Sequence, residues 1–469
     1  MRTMIPAERF LTASLRAAPH GARVTRILSA ALEAADPAAA VGRAVSLEGN
    51  RMRVASREYK IRKGGRILAV ALGKAAAPMA DALAKILGGR LSAGLVITKH
   101  APAISPFPIH HSQFTIIEGG HPVPDERSLE AGRRIMEMLS GLTADDLVIC
   151  LISGGGSALA TAPVDGVTLA ELQSLTSALL ACGAGIDEIN TLRRHLDVLK
   201  GGGLARLARP ARVVSLILSD VVGSPFEAVA SGPTAPDPTT CADALAVLEK
   251  YHFCSDDFSR PSQKATEVAT TSVLDVLKSG TETLKPGDPI FAHVQNLLVG
   301  ENLLAAQAAL KQAEVEGFHP YLLRADLRGE AREAAVDLCR TLRWARQTDQ
   351  PAHRPACIVV GGETTVTLCQ NPGRGGRNTE LALAAVTELA DFPDVMLVTL
   401  ATDGEDGTTD AAGAVVTGET YKCARLLGLE PADYLRRNDS YSFFAALDDL
   451  LQPGPTGTNV NDLVFLFAF

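Results

Sequence analysis

The chain has 469 residues, 46% of them hydrophobic, and a formal net charge of −8. That length exceeds a single core and that apolar content excludes disorder, so two domains are expected. The acidic balance, without any basic cluster, argues against nucleic acid or an anionic membrane as partner, and no apolar stretch reaches the roughly 18 residues that span a bilayer.

The first 26 residues carry Arg2, Arg9, Arg16, Arg23 and Arg26 against one acid, Glu8, a composition shared with transit peptides. Val24, Ile27, Leu28, Ala31 and Leu32 nevertheless recur at helical spacing and predict an ordinary amphipathic helix. Short apolar runs then alternate with helical patterns, which predicts β-α units and a largely parallel sheet. Runs at 67–71, 94–98, 147–152 and 213–218 are its strands. The first leads into Leu72-Gly-Lys-Ala75, which is no Walker loop: Leu68 replaces the first glycine and Ala75 the magnesium-binding hydroxyl. Lys74 there opens a helix, where a cation opposes the dipole, so it is expected to face an anion.

The run 147–152 enters Ser153-Gly-Gly-Gly-Ser157, in which Gly154, Gly155 and Gly156 leave backbone N–H groups open to converge on an anion beside two hydroxyls. A tight strand-to-helix turn is the alternative. Leu159 stands where a dinucleotide fingerprint needs its third glycine, and the next helix is expected to open late, at the capping box of Thr168 and Glu171. That helix covers 168–181, and an apolar stripe of Ile189, Leu192, Leu196 and Leu199 stops at a glycine triplet, 201–203. The pattern weakens between 255 and 289, where the chain is expected to leave the first domain. A helix at 302–316, strands at 356–360 and 365–369, a helix at 379–390 and a strand at 395–400 follow.

In open α/β sheets ligands sit beyond the carboxyl ends of the strands. Five such ends carry Lys74, the Gly-Ser loop, Ser219-Asp220, Gly361-Gly-Glu363 and Asp403-Gly-Glu-Asp406. Arg377, in Gly373-Arg-Gly-Gly-Arg377, precedes a helix. Cations and amides to hold phosphate, and carboxylates to hold magnesium or take an alcohol proton, are the parts of phosphoryl transfer. Asp220 serves either there or as a turn cap, and the Asp403 run is either a metal loop, with Asp403 and Asp406 as ligands beside Asp220, or a solvated one. Eight cysteines without a C-x-x-C pair are the usage of reduced thiols in a cytosol, and not of disulfides or zinc.

Leu72-Gly-Lys-Ala75, Gly120-His-Pro-Val-Pro-Asp125, the Ser-Gly-Gly-Gly-Ser run, Ser219-Asp-Val-Val-Gly223, Gly361-Gly-Glu-Thr364, Gly373-Arg-Gly-Gly-Arg-Asn378, Thr402-Asp-Gly-Glu-Asp-Gly407 and Thr456-Gly-Thr-Asn-Val-Asn461 occur in order along nearly the whole chain. In these the sequence resembles the type-2 glycerate kinases, whose second half is called the MOFRL domain. The resemblance implies ATP- and Mg2+-dependent phosphorylation of D-glycerate to 2-phospho-D-glycerate in a cytoplasmic enzyme. It implies Lys74, Asp220, Glu363, Arg377 and Asn459 as functional residues, and adds His121 to the Ser153–Ser157 binding candidates. It also implies a Rossmann-like domain at 1–285, a smaller α/β domain at 286–469 whose last residues are free to return to the first, and an active site in the cleft between them. Ser224 stands where the family often has an acid, and Gly300-Glu-Asn302 where it has Gly-Ser-Asn. The rivals are an NAD(P)H-dependent hydroxypyruvate reductase, disfavoured by the missing third glycine, and a non-catalytic sugar-acid-binding protein. Assembly, a homodimer among the options, is left open.

Overall fold

Uninterrupted apolar runs have no polar position to turn toward water, and they form strands covered on both faces. In a computed structural model, which describes residues 5–99, 113–253 and 271–469, Ile67–Leu72 and Leu147–Ser153 are buried at every position. Arg2 and the weakly patterned stretch up to 270 lie outside the described residues.

The chain divides into two compact units. The parallel-sheet unit comprises residues 40–219 and 224–299. Its sheet has the order Phe114–Glu118, Leu91–Thr98, Ile67–Leu72, Leu147–Ser153, Arg212–Leu218, Val294–Gly300, and the first five strands run parallel. Ile67 pairs with Leu147 and Leu72 with Ile152, which in turn pairs with Ile217. This flush register brings the loops after three strands out at one level. Leu172, Leu175, Leu179, Ile189 and Leu192, from helices Leu169–Ala181 and Ile186–His195, share a second core with Leu248, Val273 and Leu277.

The mixed-sheet unit comprises residues 1–39, 220–223 and 300–469. Its sheet order is His319–Leu327, Ala356–Gly362, Asp462–Ala468, Val395–Ala401, Gly413–Thr417, Leu450–Leu451. The first pair is parallel, whereas Asp462–Ala468 runs antiparallel to both its neighbours. The helix Gly21–Ala34 packs on Asn302–Val315, held by Arg26 to Glu316 at 2.7 and 2.6 Å and by stacking of His20 on Phe469 at 4.7 Å.

Several expectations are met with altered bounds. The helix Leu169–Ala181 has its Thr168–Glu171 capping box, and the stripe from Val24 to Leu32 lies in the amphipathic helix Gly21–Ala34, with Arg9 and Arg16 in the short helices Ala7–Phe10 and Ala13–Ala17 before it. Four features differ. The division expected at 285/286 falls at 299/300, residues 1–39 join the second half, and the last residues form a central strand of that same unit. A short helix, Gly156–Leu159, opens directly on the Gly-Ser loop instead of late. The stripe read to Leu199 is helical only to His195, because the Asp197 carboxylate accepts from the N–H groups of Ala162 and Leu199 at 3.1 and 2.9 Å and draws the chain off the helix. The strand expected at 365–369 is a single bridge at Thr365, since its N–H groups go to Gly329 O, the Glu330 carboxylate and the Asn438 side chain. Among the described residues no helix is long and apolar enough to cross a membrane.

Candidate active site

At the carboxyl edge of the parallel sheet, the turn carrying Lys74 is tied to the Gly-Ser loop twice. Lys74 N–H donates to Gly154 O at 3.0 Å, and Ala75 N–H to Ser153 Oγ at 3.0 Å. Ser153 is thus buried, its Oγ accepting from the turn that carries Lys74. Ser157 bonds to Ser231 Oγ at 2.7 Å, which donates on to Asn190 Oδ1 at 2.7 Å. Gly155 sits at φ +82°, and a Cβ there would lie 3.4 Å from the Lys74 side chain and 3.3 Å from the His121 ring, so only glycine leaves the gap between them clear. Among the described residues no backbone carbonyl accepts from the N–H of Gly155, Gly156 or Ser157.

His121 lies among cations. Burial, and then the charges of Lys74, Lys99 and Arg193, depress its pKa to about 4, so it is neutral at physiological pH. Arg193 donates to Pro122 O at 3.0 Å, and burial brings its own pKa down to about 10 against the opposing charge of Asp197. Lys74 is exposed. An exposed lysine, two further cations and unclaimed N–H groups beside a neutral imidazole form a receptor for an anion.

The second cluster belongs to the mixed-sheet unit. Arg377 opens the helix Arg377–Glu388; its Nε and Nη2 both donate to the Asp462 carboxylate, and Nη1 lies 3.0 Å from Glu363 Oε1. Burial disfavours the guanidinium charge, but the bond and charge of Asp462, with Glu363 behind it, raise its pKa overall. Glu363 follows a strand, its N–H donating to Leu327 O at 2.8 Å. Its pKa is raised by burial, opposed by Arg377, and raised further by Asp462, Asp220 and Asp403. Asp403 is lifted to about 6 by burial, against the 3.1 Å bond from Glu405 N–H, with Asp462 adding to the rise. Four carboxylates gathered around one guanidinium, with Glu363 and Asp403 both raised in pKa by burial and by their acidic neighbours, form an oxygen-rich site short of positive charge.

Asp406 is not part of that site. Its two oxygens accept from Asn378 N at 2.9 Å, Thr379 N at 2.7 Å and Thr379 Oγ1 at 2.7 Å, so it caps the helix behind Arg377 and has no lone-pair face left for a metal. Asn459 Oδ1 accepts from Asn461 N at 3.0 Å inside its own loop. That loop is fastened to the Asp403 turn through Thr402, whose Oγ1 accepts from Val460 N at 2.9 Å.

Asp462, Lys99 and Arg193 escape the sequence reading. Asp462 begins an antiparallel strand and pairs with Gly362 and Ala401, so its amino end lies level with the carboxyl ends of its neighbours. An acid heading the apolar run 463–468 is the signal that marks it. Asn302, at the departure from the family pattern, donates to Val460 O and Asp462 O at 2.9 Å each, and its Oδ1 would lie 1.7 Å from a Cβ at position 361, which explains Gly361.

A group of cations and open N–H groups at one sheet edge and a carboxylate cluster around a held arginine at another define a two-unit α/β protein. Residues 23–263 match the family model described as Domain of unknown function (DUF4147), and residues 356–462 that of the MOFRL family. The D-glycerate 2-kinase of Thermotoga maritima is 42% identical over 85% of this chain and 90% of its own. A putative hydroxypyruvate reductase of Agrobacterium vitis is 39% identical over 93% and 92%. The crystal structure of a glycerate kinase from Thermotoga maritima has a TM-score of 0.81 at 38% identity, covering 95% of this chain and 98% of that one. The chain belongs to the glycerate 2-kinase family.

Proposed function

We propose that the protein transfers the γ-phosphoryl group of ATP to D-glycerate, giving 2-phospho-D-glycerate. The observation that carries this reading is Arg377, held by Asp462 and Glu363 among carboxylates that include Asp220 and Asp403. Lys74, Lys99 and Arg193, with the N–H groups of Gly155 to Ser157, hold phosphate oxygens, while neutral His121 offers a hydrogen bond without adding charge. Asp220 takes the proton of the attacking hydroxyl, and Arg377 lies on the transferred group. Glu363 and Asp403 are the oxygen donors that would hold magnesium, whose chemistry is to neutralise charge on the β- and γ-phosphates. The cysteines, all free among those described, fit a cytoplasmic setting.

Phosphorus NMR of the product formed from ATP and D-glycerate tests reaction and regiochemistry together; exclusive 3-phosphate, or no product, overturns the reading. The name of the Agrobacterium vitis relative carries a second activity. NADH absorbance in the presence of hydroxypyruvate separates the two, since the kinase reading expects no decline.

A further inference from the structure

Away from both clusters, the parallel-sheet unit brings together His195, Cys241 and Glu282, whose ligand atoms all lie within 4.8 Å of one another. His195 ends the helix Ile186–His195, Cys241 begins Cys241–Lys250, and Glu282 lies in the segment that follows Thr271–Lys278. The His195 side chain has no exposed surface. Its Nδ1 lies 2.9 Å from Thr191 O, a carbonyl that only accepts, so the proton sits on Nδ1. In the neutral imidazole Nε2 then carries a lone pair, and this buried atom has no hydrogen-bond partner among the described residues, with the Asp237 carboxylate 3.8 Å from Nδ1 on the other side of the ring. A buried acceptor left open needs explaining.

We propose that His195 Nε2, Cys241 Sγ and a Glu282 carboxylate oxygen form a binding site for zinc or a similar borderline-soft divalent cation. Nε2 and Glu282 Oε2 are 3.4 Å apart. Two ligands at about 2.1 Å from a tetrahedral zinc stand about 3.4 Å from each other, so this edge is already spaced for the ion. The Nδ1–H bond to Thr191 O is the outer-shell contact that orients a metal-bound imidazole, and Glu282 is held similarly, its Oε1 accepting from Cys241 N–H at 2.9 Å. One thiolate and one carboxylate balance the charge of a divalent ion. Lys285 Nζ, 2.8 Å from Glu282 Oε2, is the cation the metal must displace; it also donates to Thr283 Oγ1 at 2.8 Å and to Thr239 O, which would hold its partly exposed side chain once the ion takes the carboxylate. Glu282 is 38% exposed, so the carboxylate side of the cluster meets solvent. The ion would clip two helix ends to the 279–288 segment, a role separate from the magnesium-binding carboxylates.

The test uses the full chain, stripped with a chelator and titrated with Zn2+ or with Co2+ as a spectroscopic probe. The expected result is one Zn2+ per chain retained through desalting, and a near-ultraviolet thiolate-to-cobalt band. Cys241→Ser should abolish the band, and Glu282→Gln, at a partly exposed position that leaves the fold intact, should weaken binding tenfold or more. Asp403→Asn should leave zinc uptake unchanged. Absence of stoichiometric uptake, or uptake that neither substitution weakens, overturns the proposal.

Discussion

The Asp462 carboxylate takes two of the guanidinium nitrogens of Arg377, so the arginine's direction is set by a residue from the amino end of an antiparallel strand. A paired arginine has lost its rotamer freedom before any substrate arrives. Asp462→Asn keeps the volume but removes the charge that orients Arg377. Turnover should fall by about one to two orders of magnitude, approaching the loss from Arg377→Ala, and the double variant should be no worse than Arg377→Ala alone. Steady-state kinetics of the three variants reads this coupling directly; additive losses would show that Asp462 acts independently.

Asp406 predicts a different signature. Its carboxylate is consumed by the start of the helix Arg377–Glu388, so Asp406→Ala should lower stability by about 1–2 kcal/mol, the usual range for a lost helix cap. The magnesium concentration needed for half-maximal activity should stay the same. Denaturant melts and a metal titration on one preparation check both halves.

For Asp220, replacement by Asn should reduce turnover by about 10²–10⁴-fold with little change in the Michaelis constant for ATP, as expected for a base acting on the hydroxyl. Excess magnesium should not restore the rate. Partial rescue would assign Asp220 to the metal instead.

Asp403 carries a pH dependence of definite sign. Burial and Asp462 raise its folded pKa to about 6, above the roughly 3.9 of an unfolded aspartate, so the folded state binds the extra proton between those values. The stability tied to that proton is present below about pH 4 and is lost as pH rises through 6. Asp403→Asn should therefore raise the melting temperature at pH 7.5 and leave it nearly unchanged at pH 4. Added magnesium should narrow the difference at pH 7.5, because a bound cation lowers the cost of the charged carboxylate.

His121 shifts in the opposite sense. Burial and three cations hold its pKa near 4, so the folded state gives up a proton that the unfolded chain keeps, and stability drains away as pH falls from about 6.5 toward 4. An anion seated among Lys74, Lys99 and Arg193 cancels the repulsion. Proton NMR of the His121 ring should show its pKa rising when ATP is added, and an unmoved titration would place the phosphates elsewhere.

Much of the parallel-sheet unit was legible because its strands are continuous apolar runs whose ends need loops, and Lys74 and the Gly-Ser loop stand at those ends. The rest was hidden for physical reasons. Asp462 sits where only strand direction, a tertiary property, decides which end faces the site. Asp406 reads as a metal ligand beside Asp403, yet the N–H groups that claim it belong to a helix some 28 residues earlier in the chain. The bond that Ser153 Oγ accepts from the neighbouring strand's turn is likewise tertiary, formed between residues 78 apart in the chain. The histidine–cysteine–glutamate cluster has no spacing that announces it, since its members are 46 and 41 residues apart.

The strand Asp462–Ala468 lies between Ala356–Gly362 and Val395–Ala401. A ribosome therefore makes both neighbours before the piece that joins them, and each emerges with one edge of unmet N–H and C=O groups. The helix Gly21–Ala34 waits longer still, since Asn302–Val315, on which it packs, is made some 270 residues later. Until Asp462–Ala468 is made, the mixed-sheet unit is an open sheet with two unpaired strand edges, the form in which chains aggregate or recruit chaperones. Slowing translation just before residue 462 should accordingly lower the soluble yield more than the same pause placed just after residue 299.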